Sequence, residues 1–122
     1  MLTDYYPIYG LRLRTPRLEL RLPGIDELAE LSDVANAGVH DPADAPFSVP
    51  WTDLDPPVRG RAVITYNLGL IAAATPQEWN LPFAVFADGR PIGIQELSAA
   101  AFGTLREVHT GSWLGQRWHG QG

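Results

Sequence analysis

Near the start of the chain, Leu11, Leu13, Leu18, Leu20 and Leu22 alternate with Arg12, Arg14, Arg17, Glu19 and Arg21. A period of two predicts a half-buried strand, because successive strand side chains point to opposite faces. Thr15-Pro16 interrupts the run. Proline cannot donate to a ladder, so the dipeptide predicts a strand start or an edge bulge, with the firm strand over 17–22. Pro23 and Gly24 end it. The spacing then changes to Ile25, Leu28, Ala29, Leu31, Val34 and Ala35, which is one apolar helical face. Asp26 and Glu27 fall in the first turn, where the positive end of the helix dipole favours acids, and the helix is expected to stop over 36–38.

Residues 38–57 contain five Pro, four Asp, Phe47 and Trp51, a composition that predicts an ordered, aromatic-anchored loop of the kind that serves binding sites. Over 58–74 the positions Val63, Tyr66, Leu70 and Ala74 share a helical face, although 64–68 also reads as a strand. Gly60 and Gly69 each cost such a helix about 1 kcal/mol relative to Ala. Two apolar runs, 81–87 and 91–97, flank Asp88-Gly89-Arg90, the strongest short-range hairpin signal in the sequence. A link over 98–104 leads to a fourth strand over 105–114, with Glu107, His109 and Gly111 on one face and Val108, Thr110 and Ser112 on the other. The resulting expectation is an α/β (α+β) fold with a mixed, mostly antiparallel sheet of about four strands and two or three helices.

Composition narrows the function. The chain has 122 residues, enough for a single domain over 1–122 and too few for a two-domain enzyme. With 45% hydrophobic residues and four Trp, it has too much apolar material for a disordered tail. All nine basic residues are Arg, against fourteen Asp and Glu, for a net charge of −5. That balance argues against a nucleic-acid partner, which needs a basic face, and the missing Lys excludes Schiff-base and P-loop lysines. Without Cys there is no disulfide, thiolate zinc site, iron-sulfur cluster or cysteine nucleophile. Residues 1–10 lack a basic n-region and an apolar h-region, and the chain has no transmembrane stretch. The expectation is therefore no signal peptide, no membrane partner and a cytoplasmic address.

After the fourth strand comes Gly115-Gln116-Arg117-Trp118-His119-Gly120-Gln121-Gly122. A strand running into a glycine-rich turn exposes several backbone N–H groups to one anion. Together with Leu13-Arg14-Thr15-Pro16-Arg17-Leu18-Glu19-Leu20-Arg21 and Gly111-Ser112-Trp113-Leu114, this segment resembles the GNAT superfamily of acetyl-CoA-dependent N-acetyltransferases. The similarity is to the branch around the ribosomal-protein N-terminal acetyltransferases. His119-Gly120-Gln121-Gly122 looks like the start of that family's pyrophosphate loop. Two registers fit, one with Arg117 and one with His119 near the first motif position. The resemblance covers nearly the whole chain and implies the N-terminal portion of a GNAT domain, with the C-terminal helix and strands missing.

The resemblance implies direct attack of a primary amine, small or at a peptide N-terminus, on the thioester of acetyl-CoA as co-substrate in a ternary complex. Trp113, Leu114 and Gly115 would hold the pantetheine arm through backbone groups, one N–H polarising the thioester carbonyl. Arg117, His119, Gly120, Gln121 and Gly122 would contact the phosphates. Glu107 or His109 would serve as general base, and no residue takes the general-acid role. Phe47 and Trp51 would line an amine-substrate pocket or pin their loop to the core. His40 with Asp41 and Asp44 reads as loop and turn chemistry rather than a metal site. Ser112 lacks the spacing of a nucleophile elbow. A second hypothesis stands beside the transferase, which this chain alone would perform weakly or not at all. It is a non-catalytic module that acts through a partner or forms a homodimer through an exposed fourth strand.

Overall fold

Asp88 and Gly89 set the register of the sheet. Both have positive φ, +51° and +76°, the pair of left-handed conformations that a two-residue type I′ turn requires. A computed structural model describes residues 1–121, and there this turn joins β3 (Glu78–Ala87) to β4 (Arg90–Ala100). Pairing runs from Ala87 opposite Arg90 out to Glu78 opposite Ala100, with one irregularity between Val85 and Phe86. The hairpin expected from Asp-Gly is therefore present and longer at its open end, taking in 98–100, which the sequence placed in a link.

Among the described residues the sheet has five strands, β1 (Leu13–Arg14), β2 (Leu18–Arg21), β3, β4 and β5 (His109–Leu114), in sequence order, with each neighbouring pair antiparallel. The strand beyond the expected four comes from Thr15-Pro16, which neither starts a strand nor bulges one but reverses the chain. Leu13 pairs with Leu20 and Arg14 with Glu19. The Thr15 N–H donates to the Leu18 carbonyl at 2.9 Å, and the Leu18 N–H donates to Thr15 Oγ1 at 3.1 Å. Proline suits that turn because its φ is already fixed and its missing donor is not needed. β5, the fourth strand of the sequence reading, starts at His109 rather than 105. The preceding residues fold into the single-turn α4 (Phe102–Leu105), flanked by Ala101 and Arg106 at positive φ.

Two long helices cover the sheet, α2 (Ile25–Ala37) and α3 (Pro56–Ala73), while α1 (Leu2–Tyr5) is a single turn. Glu27 reaches back to the Gly24 N–H at 2.9 Å and takes a bidentate pair from Arg21 at 2.9 and 2.6 Å, tying the end of β2 to the start of α2. Burial pushes this carboxyl up, but the hydrogen bonds from Arg21 and Gly24 outweigh it and hold it below the ordinary carboxylate range.

In α3 the buried positions are Gly60, Val63, Asn67 and Ile71. The face expected from the sequence, Val63, Tyr66, Leu70 and Ala74, is thus rotated, because small and apolar residues surround this helix and blur its period. Gly60 offsets its helix cost by close packing. A Cβ there would lie 3.2 Å from Asn36 Nδ2, and its carbonyl accepts from Ser32 Oγ at 2.7 Å.

Leu28, Leu31 and Ala35 of α2 and Val63 of α3 pack on Ala84, Phe86 and Ile94 to form the main core. Each fully buried leucine contributes about 1.5–3 kcal/mol. A second cluster, Leu22, Ile71, Leu81 and Phe83, receives Tyr6 and Tyr9, whose hydroxyls donate to the carbonyls of Ile71 and Pro23 at 2.7 and 3.3 Å. No helix among the described residues is long and apolar enough to cross a membrane.

Candidate functional site

Strand alternation puts Ile94 and Glu96 of β4 on one face of the sheet, and Ile94 belongs to the core beneath α2 and α3. Glu96 is therefore a carboxylate on the core-facing row. Across the ladder Ile94 pairs with Trp113 and Glu96 with Gly111, so the carboxylate has a tryptophan diagonally beside it and no side chain directly opposite. Its Oε1 accepts from the Tyr66 hydroxyl at 3.0 Å and from Asn80 Nδ2 at 2.7 Å. Among the described residues both donors go to that oxygen.

This carboxylate borders a cavity of about 360 Å³ whose walls include Phe47, Trp51, Val63, Tyr66, Asn67 and Trp113. Ring centroids of Phe47 and Trp51 lie 5.5 Å apart, and those of Trp51 and Trp113 5.4 Å apart. Phe47 and Trp51 also pack on the main core, so they both pin their loop and line a pocket. The loop is fixed further at Thr52, whose Oγ1 meets His40 Nε2 at 2.7 Å and whose carbonyl accepts from Arg59 at 2.8 Å. Asp41 turns the same loop by accepting from the Ala43 N–H at 2.9 Å. Burial, reinforced by the Glu96 charge and the hydrogen bond to it, pushes the Tyr66 hydroxyl up to about 12. It is a hydrogen-bond donor at neutral pH.

Glu107 and His109 lie on the wall of another cavity of about 660 Å³, at the other end of the same sheet face. His109 opens β5 and Glu107 precedes the strand, so the two are not consecutive members of one strand row. Both are exposed, and His109 Nε2 stands 3.9 Å from Glu107 Oε1. Asn80 lies on the wall of this cavity while donating to Glu96 in the first.

At the end of β5 the ladder decides which backbone groups are available. The Gly115 N–H donates to the Ile92 carbonyl at 2.8 Å, and by the alternation of an antiparallel ladder Trp113 also bonds to β4. Of the three residues expected to hold a pantetheine arm, Leu114 is the one whose N–H and carbonyl face the open edge. His119 Nε2 meets that Leu114 carbonyl at 2.9 Å, and since a carbonyl only accepts, Nε2 carries the proton. Gly120 adopts φ +73°, a conformation that favours glycine. The Arg117 guanidinium is exposed and stacks 4.9 Å over the half-buried Trp118 ring. The Gln121 carbonyl accepts from Arg17 at 2.6 Å, which joins the tail to the β1–β2 turn. Gly122, also expected in the phosphate loop, lies outside the described residues.

The sequence reading passed over Glu96, Tyr66, Asn67 and Asn80. Parity alone marks Glu96, since it shares the row of Ile92 and Ile94. Asn67 carries a similar signal, being four residues from both Val63 and Ile71.

The helix pair packed over an antiparallel sheet, with a glycine turn after its last strand, is the fold of the GNAT-type acetyltransferases. Among the solved structures that share it are two described as acetyltransferases. One is provisionally described as a ribosomal-protein-serine acetyltransferase from Vibrio cholerae (TM-score 0.57, 18% identity, covering 90% of this chain and 57% of that one). The other is described as a probable acetyltransferase (TM-score 0.63, 13% identity, covering 93% of this chain and 60% of that one). At these identities the likeness is one of fold, and it bears out the fold expected from the sequence resemblance. The chain spans about three-fifths of the length of each structure it matches. No family model matches the sequence.

Proposed function

We propose that this domain is an acetyl-CoA-dependent N-acetyltransferase acting on a primary amine, small or at a peptide N-terminus, by direct attack in a ternary complex. The observation that carries the reading is Glu96, a carboxylate on the core-facing row of β4 in an aromatic-walled cavity bordered by Trp113 of β5, the strand whose outward edge presents the Leu114 N–H. Acetyl-CoA, as co-substrate, supplies the activated acetyl group. The open edge at Leu114 and the left-handed Gly120 suit a pantetheine arm and its phosphates. His119 gives up its bond to the Leu114 carbonyl when that edge is taken.

Glu96, with Oε1 held by Tyr66 and Asn80, accepts the proton of the incoming amine. This moves the base role from Glu107 and His109, which stand exposed at the other end of the sheet face. The Leu114 N–H donates to the carbonyl oxygen as it gains negative charge. The amine nitrogen bonds to the acyl carbon, the carbon–sulfur bond breaks with its electron pair going to sulfur, and the thiolate leaves. The phosphate contacts are assigned to Arg117, His119, Gly120 and Gln121. The partner set is an amine substrate, with neither nucleic acid nor membrane, and the address is cytoplasmic.

Thermal unfolding with acetyl-CoA tests the reading. Ligand at a hundredfold over its dissociation constant raises stability by about 2.7 kcal/mol, and thiol release in the presence of an amine reports transfer. A chain that melts cooperatively, is not shifted by acetyl-CoA and releases no thiol would overturn it. The exposed β5 edge favours a second reading, a non-catalytic module that pairs edge to edge with a second copy. A dimer in sedimentation combined with that null titration would support it.

A further inference from the structure

We propose that the cavity of about 660 Å³ at the Glu107 end of the sheet is a second binding site, separate from the Trp51–Trp113 cavity, and that it takes a small organic cation with an apolar body. α3 stops at Ala73, while β3 and β4 stay paired as far as Glu78 and Ala100. The last turn of the helix and the open end of the hairpin face one another across this space, and Leu70, Ala73, Trp79, Ala99 and Leu105 give it apolar walls. Its volume is that of sites that hold small ligands. Charge then selects among them. Glu78, Glu107 and His109 are on the wall and no Arg is, and the chain has no Lys. Arg106, next to Glu107 in sequence, stands 5.6 Å over the Phe102 ring instead, and among the described residues no ion pair joins either acid to an arginine. Even a protonated His109, 3.9 Å from Glu107 Oε1, would offset one acid of the two. Apolar surface with unbalanced negative charge complements a cation carried on hydrocarbon, and the Trp79 ring adds attraction for it. An anion of the same shape is repelled.

The single turn α4 is the movable wall of this site. Ala101 and Arg106 flank it at φ +49° and +53°, a conformation that is costly for residues with a Cβ. The positive φ of Asp88 serves the hairpin turn, whereas these two set α4 beside the cavity. Leu105 lines the cavity yet is 61% exposed, so a ligand seated there buries it. Phe102 ties the same turn to the cavity through the Trp79 ring, 6.4 Å between centroids.

Calorimetric titration of the full chain with hexyltrimethylammonium, hexanol and hexanesulfonate tests this. A quaternary nitrogen has no N–H to acylate, so the outcome is independent of acetyl transfer. The cation is expected to bind at least fivefold more tightly than the alcohol, and the sulfonate more weakly still. Glu78→Gln, a change at an exposed position that leaves the fold intact, is expected to lose at least fivefold in affinity for the cation, while Glu96→Gln stays within twofold. Hydrogen exchange at the Leu105 and Arg106 amides, which bond to the Ala101 and Phe102 carbonyls, is expected to slow at saturation. No binding of the cation by the folded chain, equal affinity for the alcohol or the sulfonate, or unchanged exchange at both amides would each overturn the proposal. So would a loss of affinity that follows Glu96→Gln and not Glu78→Gln, which would seat the cation in the Trp51–Trp113 cavity. A chain that passes these tests yet takes no acetyl-CoA would defeat the transferase reading and leave this site standing.

Discussion

The two ends of one sheet face carry acids in opposite surroundings. At one end Glu96 is held by Tyr66 and Asn80 and walled by Phe47, Trp51 and Trp113. At the other, Glu107 and His109 are 66% and 76% exposed and stand 3.9 Å apart. In sequence both look like polar residues in or near a strand. The difference lies in what packs over them, because α3 lays Tyr66 against Glu96. A proton acceptor that must exclude water needs the covered end, where hydrogen bonds fix its position before substrate arrives.

This comparison breaks or sharpens by substitution. Glu96→Gln keeps the shape and removes the charge, and is expected to lower kcat/KM for acetyl transfer by about 10²- to 10³-fold, while Glu107→Gln and His109→Gln stay within about twofold. The reverse ordering in steady-state kinetics would hand the role to the exposed end. Trp113→Ala is expected to cost about 2–3 kcal/mol in urea unfolding, since the half-buried ring packs on the main core and on Trp51.

The smallest effect concerns Tyr66→Phe, with a loss below about 1 kcal/mol for one partly exposed hydrogen bond. It is also expected to change the alkaline limb of the stability profile. With the hydroxyl pushed up to about 12 in the folded chain, the unfolded chain ionises first as pH passes 10. Stability therefore falls from pH 10 towards 12. The slope should be shallower in the phenylalanine variant, with Tyr6 and Tyr9, also raised by burial, supplying the remainder.

Legibility followed the period of the pattern. The β3–β4 hairpin was readable because Asp88-Gly89 can adopt two positive φ values cheaply, and α2 because its apolar positions lie on one face. Thr15-Pro16 was ambiguous, since proline serves a turn, an edge and a bulge alike, and only the pairing of Leu13 with Leu20 decides. The face of α3 was misplaced because apolar residues occur all round it, and with it went Asn67. Glu107 was read into a strand that starts two residues later, because the chain's turn at Arg106, φ +53°, leaves no hydrophobic signature. Glu96 needed a question about parity that hydrophobic runs do not pose.

The order of the sheet has a consequence in time. β3 and β4 meet across a two-residue turn, whereas β2, their neighbour on the other side, pairs Arg21 with Ala84 only after α2, α3 and the loop between them have been bridged. Closing a loop about twentyfold longer costs roughly 2.5 kcal/mol more in chain entropy, at about 0.6 kcal/mol per doubling. The hairpin can thus form in microseconds, while β2 docking waits for the helices to shorten the path. Core substitutions in β2 should then speed unfolding more than they slow refolding, and those in the hairpin should do the opposite.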